Sequence, residues 1–186
     1  MDNWVVLFVR TGSEEKVVNI LKLELDSKLF DPFLLKKEEL LKKNSVWIKA
    51  IKPLFKGYVF IRTSIKPEMI ADELAPTLER MKGSNPFIRL LHYGDNRKSV
   101  AIHEKERIFL EQLFNEDCCI VGSKGFIDDN GVRITEGPLV GLESQIRKID
   151  RHQRRASLDA EFAGDMCEMR LVLEVKKLHN EDSLQK

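Results

Sequence analysis

The chain has 186 residues, 42% apolar and 33% charged, which is enough for one large or two small domains with a real core. A formal net charge of +1 excludes a global field that would gather a polyanion, so any nucleic-acid site has to be local. The longest apolar stretch near the start, residues 4–9, is too short to span a bilayer, and no secretory signal precedes the fold. Those residues, Trp-Val-Val-Leu-Phe-Val, are apolar on both faces and predict a central strand. Thr11-Gly12-Ser13-Glu14 reads as a turn into a helix, with Thr11 and Glu14 at capping-box spacing. Val17, Ile20, Leu21 and Leu25 recur at helical spacing, which carries the helix to about residue 29, where Asp31-Pro32 stops it. Residues 36–44 are charged and read as a loop or a short exposed helix. Residues 46–51 and 57–62 predict two strands joined through Pro53.

That join contains the most informative segment, Pro53-Leu54-Phe55-Lys56-Gly57-Tyr58-Val59-Phe60-Ile61. A proline and a glycine bracket a bend, and the strand that follows sets Tyr58 and Phe60 on one face, because side chains two apart share a face. With Val59 and Ile61 filling the core, the aromatic face is either covered by a helix or presented to a partner.

Pro67 suits the first turn of a second helix through Met69, Ile70 and Leu74, which Pro76 should break or kink. Residues 82–86 read as a loop and residues 87–91 as a strand. His103-Glu104-Lys105-Glu106 opens a last helix, with His103 at the N-cap and Ile108, Phe109, Leu113 and Phe114 as its buried stripe. Strands alternating with helices to about residue 115 suggest an α+β arrangement of one sheet with helices packed on it.

Beyond Glu116 the character changes. Asn130-Gly131 is a two-residue hairpin signal between short strands. Ala156, Leu158, Ala160 and Phe162 alternate with polar residues, Gly164-Asp165 turns the chain, and Cys167, Met169, Leu171, Leu173 and Val175 alternate again. Short strands with tight turns fit a small barrel, with the boundary near residues 115–120.

Trp4, the Gly12-Ser13-Glu14 helix entry, and Pro53-Leu54-Phe55-x-Gly57-Tyr58-Val59-Phe60 are together similar to the N-terminal domain of the NusG family of transcription elongation factors. Val132-Arg133-Ile134-x-x-Gly137-Pro138-Leu139 resembles the start of that family's KOW motif, and Lys148-Ile149-Asp150 the strand after it. The resemblance implies an antiparallel sheet with flanking helices at residues 1–115, the NGN-like RNA polymerase-binding domain. A linker at residues 116–120, an all-β, five-stranded SH3-like KOW barrel at residues 121–178 and a polar tail at residues 179–186 would follow. It further implies that Phe55, Tyr58 and Phe60, with Trp4 near them, receive the clamp helices of the largest polymerase subunit. Without the family, the same rings read as ordinary core. Gly137 permits a positive φ or a close backbone approach and Pro138 fixes the next φ, a barrel-corner device.

Three departures from the family pattern stand out. Lys56 replaces a second proline, which should loosen the bend; Ala71-Asp72-Glu73 sits where some paralogues carry a His-Thr-Thr element for the polymerase gate loop; and Ser144 replaces a KOW glycine. Arg147, Lys148, Arg151, His152, Arg154 and Arg155, opposed by Asp150, lean toward specialised, operon-restricted paralogues of the LoaP type. Such a patch suits phosphate contacts with structured RNA, read through its backbone and shape. The alternative is a solvated loop whose arginines pair with Glu143, Asp159 or Glu161. Lys36, Lys37, Lys42, Lys43, Lys49, Lys52 and Lys56, without interleaved aromatics and softened by Glu38 and Glu39, serve solubility or touch upstream or non-template DNA.

An enzyme is not expected. His92, His103, His152 and His179 have no metal spacing, and no phosphate-binding or nucleophile motif occurs. Cys118, Cys119 and Cys167 are an odd set without CxxC spacing and fit reduced thiols in a cytoplasm. The expectation is a monomeric, cofactor-free, operon-specific processive antiterminator on RNA polymerase. The alternatives are a general factor whose barrel binds Rho or the ribosomal protein NusE, and an RNA-binding KOW protein independent of polymerase.

Overall fold

The computed structural model describes residues 1–83, 87–92, 100–129, 131–162 and 164–177. The chain runs β1 (Asn3–Phe8), α1 (Glu14–Glu24), β2 (Phe30–Phe33), β3 (Lys36–Lys43), β4 (Val46–Pro53), β5 (Tyr58–Thr63), α2 (Pro67–Lys82) and β6 (Arg89–Leu90). It continues through α3 (Glu104–Leu113), β7 (Cys119–Ile120), β8 (Ser123–Asp128), β9 (Gly131–Glu136) and a 3-10 turn (Glu143–Gln145). Strands β10 (Ile146–Asp150), β11 (Arg155–Phe162) and β12 (Asp165–Lys177) complete it. Two compact units emerge: Met1–Lys36 with Pro53–Glu111 and Glu161–Met166, and Lys37–Lys52 with Gln112–Ala160 and Cys167–Lys186. The predicted tail at residues 179–186 and the centre of the predicted loop, residues 84–86, lie outside the described residues.

The first unit is built on an antiparallel sheet of order β2-β5-β1-β6. Pairing of Val5 with Ile61 and Leu7 with Val59 puts four apolar side chains on one face. Val17, Val18 and Leu21 of α1 and Ile70, Leu74, Leu78 and Met81 of α2 close over that face to make the core. Each such side chain stabilises by about 1.5–3 kcal/mol on burial.

Local chemistry revises several expectations here. Helix α1 ends at Glu24, not near residue 29, because Asp26 takes over: its carboxylate accepts from the Lys28 amide at 2.9 Å and its carbonyl from Phe30 at 2.9 Å. Asp31-Pro32 belongs to strand β2, and proline is tolerated there because β2 is an edge strand. Pro76 neither ends α2 nor splits it, since it lies on the exposed side, where the carbonyl it leaves unbonded can reach water. In α3 the buried stripe is Glu106, Leu110 and Leu113, while Ile108 is exposed and Phe109 and Phe114 are half-buried. His103 stands at the N-cap position as predicted, its amide donating to the Glu106 carboxylate at 3.1 Å.

In the second unit the charged residues expected to be loop or helix form strand β3 of a hairpin with β4. Asn44 (φ 49°) and Ser45 (φ 65°) make its turn, the paired positive dihedrals of a type I′ connection. Strand β3 lies between β4 and β7. A five-stranded sheet of order β10-β11-β12-β8-β9 makes up the rest, with β12 at its centre and β8 running parallel to it. Asp128 pairs with Gly131, so the predicted hairpin forms, although Asn130 itself lies outside the described residues. Among the described residues the pairing leaves β9 and β10 at the two edges: a β-rich sheet is present, without the closure of the predicted barrel. The two predicted alternations in β11 and β12 hold in part: Ala156, Leu158, Ala160, Phe162, Met169, Leu171 and Leu173 are buried, but so are Ser157 and Val172 between them, and Cys167 and Val175 are half-buried.

Among the described residues no helix is long and apolar enough to cross a membrane, and no group of three or more His, Cys, Asp or Glu side chains is placed to hold a metal ion.

Candidate functional site

On the far face of the first sheet, pairing of Val6 with Phe60, Phe8 with Tyr58 and Trp4 with Arg62 gathers the aromatic side chains. Trp4 meets Phe33 edge-on at 5.0 Å and Phe60 at 6.2 Å, and the Arg62 guanidinium lies 3.9 Å from the Phe33 ring while pairing with Asp31 at 2.7 Å. Trp4 (1% exposed) and Phe60 (0%) are core residues of this face. Phe55 and Tyr58 are half-buried at its margin. Phe162, from the Glu161–Met166 segment of the same unit, stacks on Phe55 at 4.0 Å with rings within 7° of parallel and meets Tyr58 edge-on at 5.3 Å. The sequence leaves two choices for this face, helix or partner; the Phe162 ring, from a strand, covers part of it.

The bend before Tyr58 is held by a buried carboxylate. Glu14 accepts from the Gly12 amide at 2.6 Å and from the Gly57 amide at 2.7 Å, so the capping partner expected for Thr11 serves two glycines instead. Gly57 has φ +82°, and a Cβ there would sit 3.2 Å from the Val9 carbonyl oxygen. Its own carbonyl accepts from the Val9 amide at 2.8 Å. The aromatic strand is thereby fixed to the start of α1, and Lys56 extends into solvent beside that anchor.

In the second unit, Gly137 meets both demands read from the sequence. Its φ is +94°, and a Cβ would lie 2.7 Å from Ser123 Cα. Pro138 follows, and the Leu139 amide donates to Ser123 Oγ at 3.1 Å, so this corner docks on the first residue of β8. The Ile134 amide donates to Glu143 Oε1 at 3.1 Å. Backbone amides of Glu143 itself and of Ile134 hold that carboxyl below its ordinary range. Ser144 lies within the 3-10 turn, outside the left-handed region that a glycine would serve.

The six basic residues meet different surroundings. Arg147 pairs with Asp159 at 3.2 Å, one of the partners named for the solvated-loop reading, and Arg154 pairs with Glu174 at 2.7 Å. Lys148 and His152 are exposed and Arg155 is half-buried. Arg151 and Arg154 alone among the six line an open cleft of about 800 Å3, together with Lys124, Phe126, Glu136 and Lys176. Lys124, Phe126 and Lys176 escaped the sequence reading because they are spread along the chain and only strand pairing joins them. An interleaved aromatic was also missed in the lysine stretch: Trp47 lies 5.8 Å from Lys42 Nζ and 5.0 Å from the Arg154 guanidinium. Lys49 pairs with Glu38 at 3.2 Å, and Lys37 donates to the Arg170 carbonyl at 2.8 Å, so part of that stretch is structural.

Compared with known families, residues 2–110 match the one described as "NusG: Transcription termination factor nusG". No curated protein matches the chain. The matched span contains Trp4, the Glu14–Gly57 anchor, Phe55, Tyr58 and Phe60.

Proposed function

Since the chain belongs to the NusG family, whose members act in transcription elongation and termination and generally bind RNA polymerase, we propose that it is an operon-specific processive antiterminator of the LoaP type. Residues 1–115 are the polymerase-binding domain, and residues 121–178 are a KOW-type domain that takes RNA. The observation that carries this reading is the aromatic face inside the matched span, with Phe55 and Tyr58 accessible at the margin of a rigid strand. Clamp helices of the largest polymerase subunit would seat on that margin, replacing the Phe162 stack on Phe55, while Trp4 and Phe60 support it from beneath. The mechanism is a differential affinity: bridging the clamp favours the pause-resistant conformation of elongating polymerase, without chemistry.

The pairing of Arg147 and Arg154 favours a second reading, because it leaves fewer cations for phosphate. In that reading the protein is a general elongation factor whose C-terminal domain binds Rho or NusE. Retention on core RNA polymerase, lost when Phe55 and Tyr58 are both replaced by alanine, tests the docking. Read-through of a terminator with and without an upstream RNA leader separates the two: dependence on the leader supports the operon-specific factor, and equal read-through supports the general one.

A further inference from the structure

We infer that the outer face of the five-stranded sheet binds unpaired RNA, with a base stacked on Phe126 and the adjoining phosphates on Arg151 and Lys176. This rests on the reading that the C-terminal domain takes RNA, and it changes which RNA is taken and which residues take it. Strand pairing sets Lys176 beside Phe126 and Glu174 beside Lys124, and Phe126 pairs with Arg133 on its other side. These residues and the Arg151–Arg154 turn surround a cleft of about 800 Å3, within the size range of small-ligand sites. Its lining carries four cations, Lys124, Arg151, Arg154 and Lys176, against Glu136 and Glu174.

Two of those cations are already engaged, Lys124 with Glu136 at 2.9 Å and Arg154 with Glu174 at 2.7 Å. Arg151 and Lys176 are exposed and make no ion pair among the described residues. An acid is therefore called for at the rim, and a flat apolar group at Phe126, where the Arg133 guanidinium stands 5.8 Å from the ring centroid. A nucleotide supplies both, and base stacking on an aromatic ring tolerates any base. A duplex cannot satisfy the site, because its bases keep their faces stacked on one another.

The test uses the full chain, fluorescence anisotropy and three probes of mixed sequence: a single-stranded RNA 12-mer, the matching DNA 12-mer and a blunt RNA duplex. Phe126→Leu, which keeps an apolar residue in the strand, should weaken single-stranded RNA about tenfold, as loss of one stacked base predicts, and leave duplex affinity unchanged. Arg151→Ala with Lys176→Ala should lower the log–log salt slope by about 1.4 for two phosphates on a single strand. Single-stranded affinity unchanged in Phe126→Leu, with loss only on replacing Arg147, Lys148 and Arg155, would sink the inference while the RNA reading stands. Absence of binding to every probe at low salt would remove both. Tighter binding of the DNA strand, or equal competition by a glutamate-rich peptide, would assign the cleft to another partner and overturn the proposal.

Discussion

Gly57 and Glu14 show how a single position can matter beyond its own contacts. Alanine at residue 57 would have to hold a φ of +82° with its Cβ 3.2 Å from a backbone oxygen. Gly57→Ala should therefore cost about 1–3 kcal/mol, read from the urea midpoint by tryptophan fluorescence. Glycine is legible in the sequence as a bend; its carboxylate partner is not, because Glu14 also fits an ordinary helix cap. Glu143 supplies a prediction in acid. Its carboxyl titrates below the unfolded value, so its contribution to stability is complete above that value and fades as pH falls through the lowered one. Glu143→Gln should flatten the acid limb of the stability curve for the second unit, followed by amide exchange of β9. An unchanged limb would show that the Ile134 contact contributes nothing.

At the level of elements, periodicity served well where apolar residues alternated or recurred and failed where they did not. Strands β1, β5, β11 and β12 are legible because their inward positions are almost all apolar. Strand β3, Lys-Lys-Glu-Glu-Leu-Leu-Lys-Lys, has no alternation to read; pairing with β4 and β7 makes it a strand. Its turn held the available clue, since asparagine tolerates the left-handed region better than other non-glycine residues. Ser45 does so less readily at φ 65°. Ser45→Gly should thus stabilise the β3–β4 hairpin by about 0.5–1 kcal/mol, measured as a rise in the urea midpoint. The aromatic face was half legible: shared facing of Tyr58 and Phe60 follows from their spacing, whereas the full burial of Phe60 depends on Trp4, Phe33 and Phe162 from three other segments.

For the whole molecule, a net charge of +1 conceals a strong local arrangement. Lys49, Arg62, Lys124, Arg147 and Arg154 each pair with a carboxylate, so counting cations along the chain overstates the charge available to phosphate. The central place of β12 has a consequence in time. Ser123 opens β8, yet its parallel partner is Leu173, in the last described strand. At 5–20 residues per second the ribosome needs roughly 3–10 s to deliver that partner. Through that interval β8 and β9 can form only a hairpin whose β8 edge lacks the partner it has in the finished sheet, exposed to any neighbouring nascent chain. A chain stopped after residue 164 should remain in that condition, with fast amide exchange throughout β8, β10 and β11, and should precipitate as it accumulates. Slow exchange in those strands would show that the sheet can assemble without its central member.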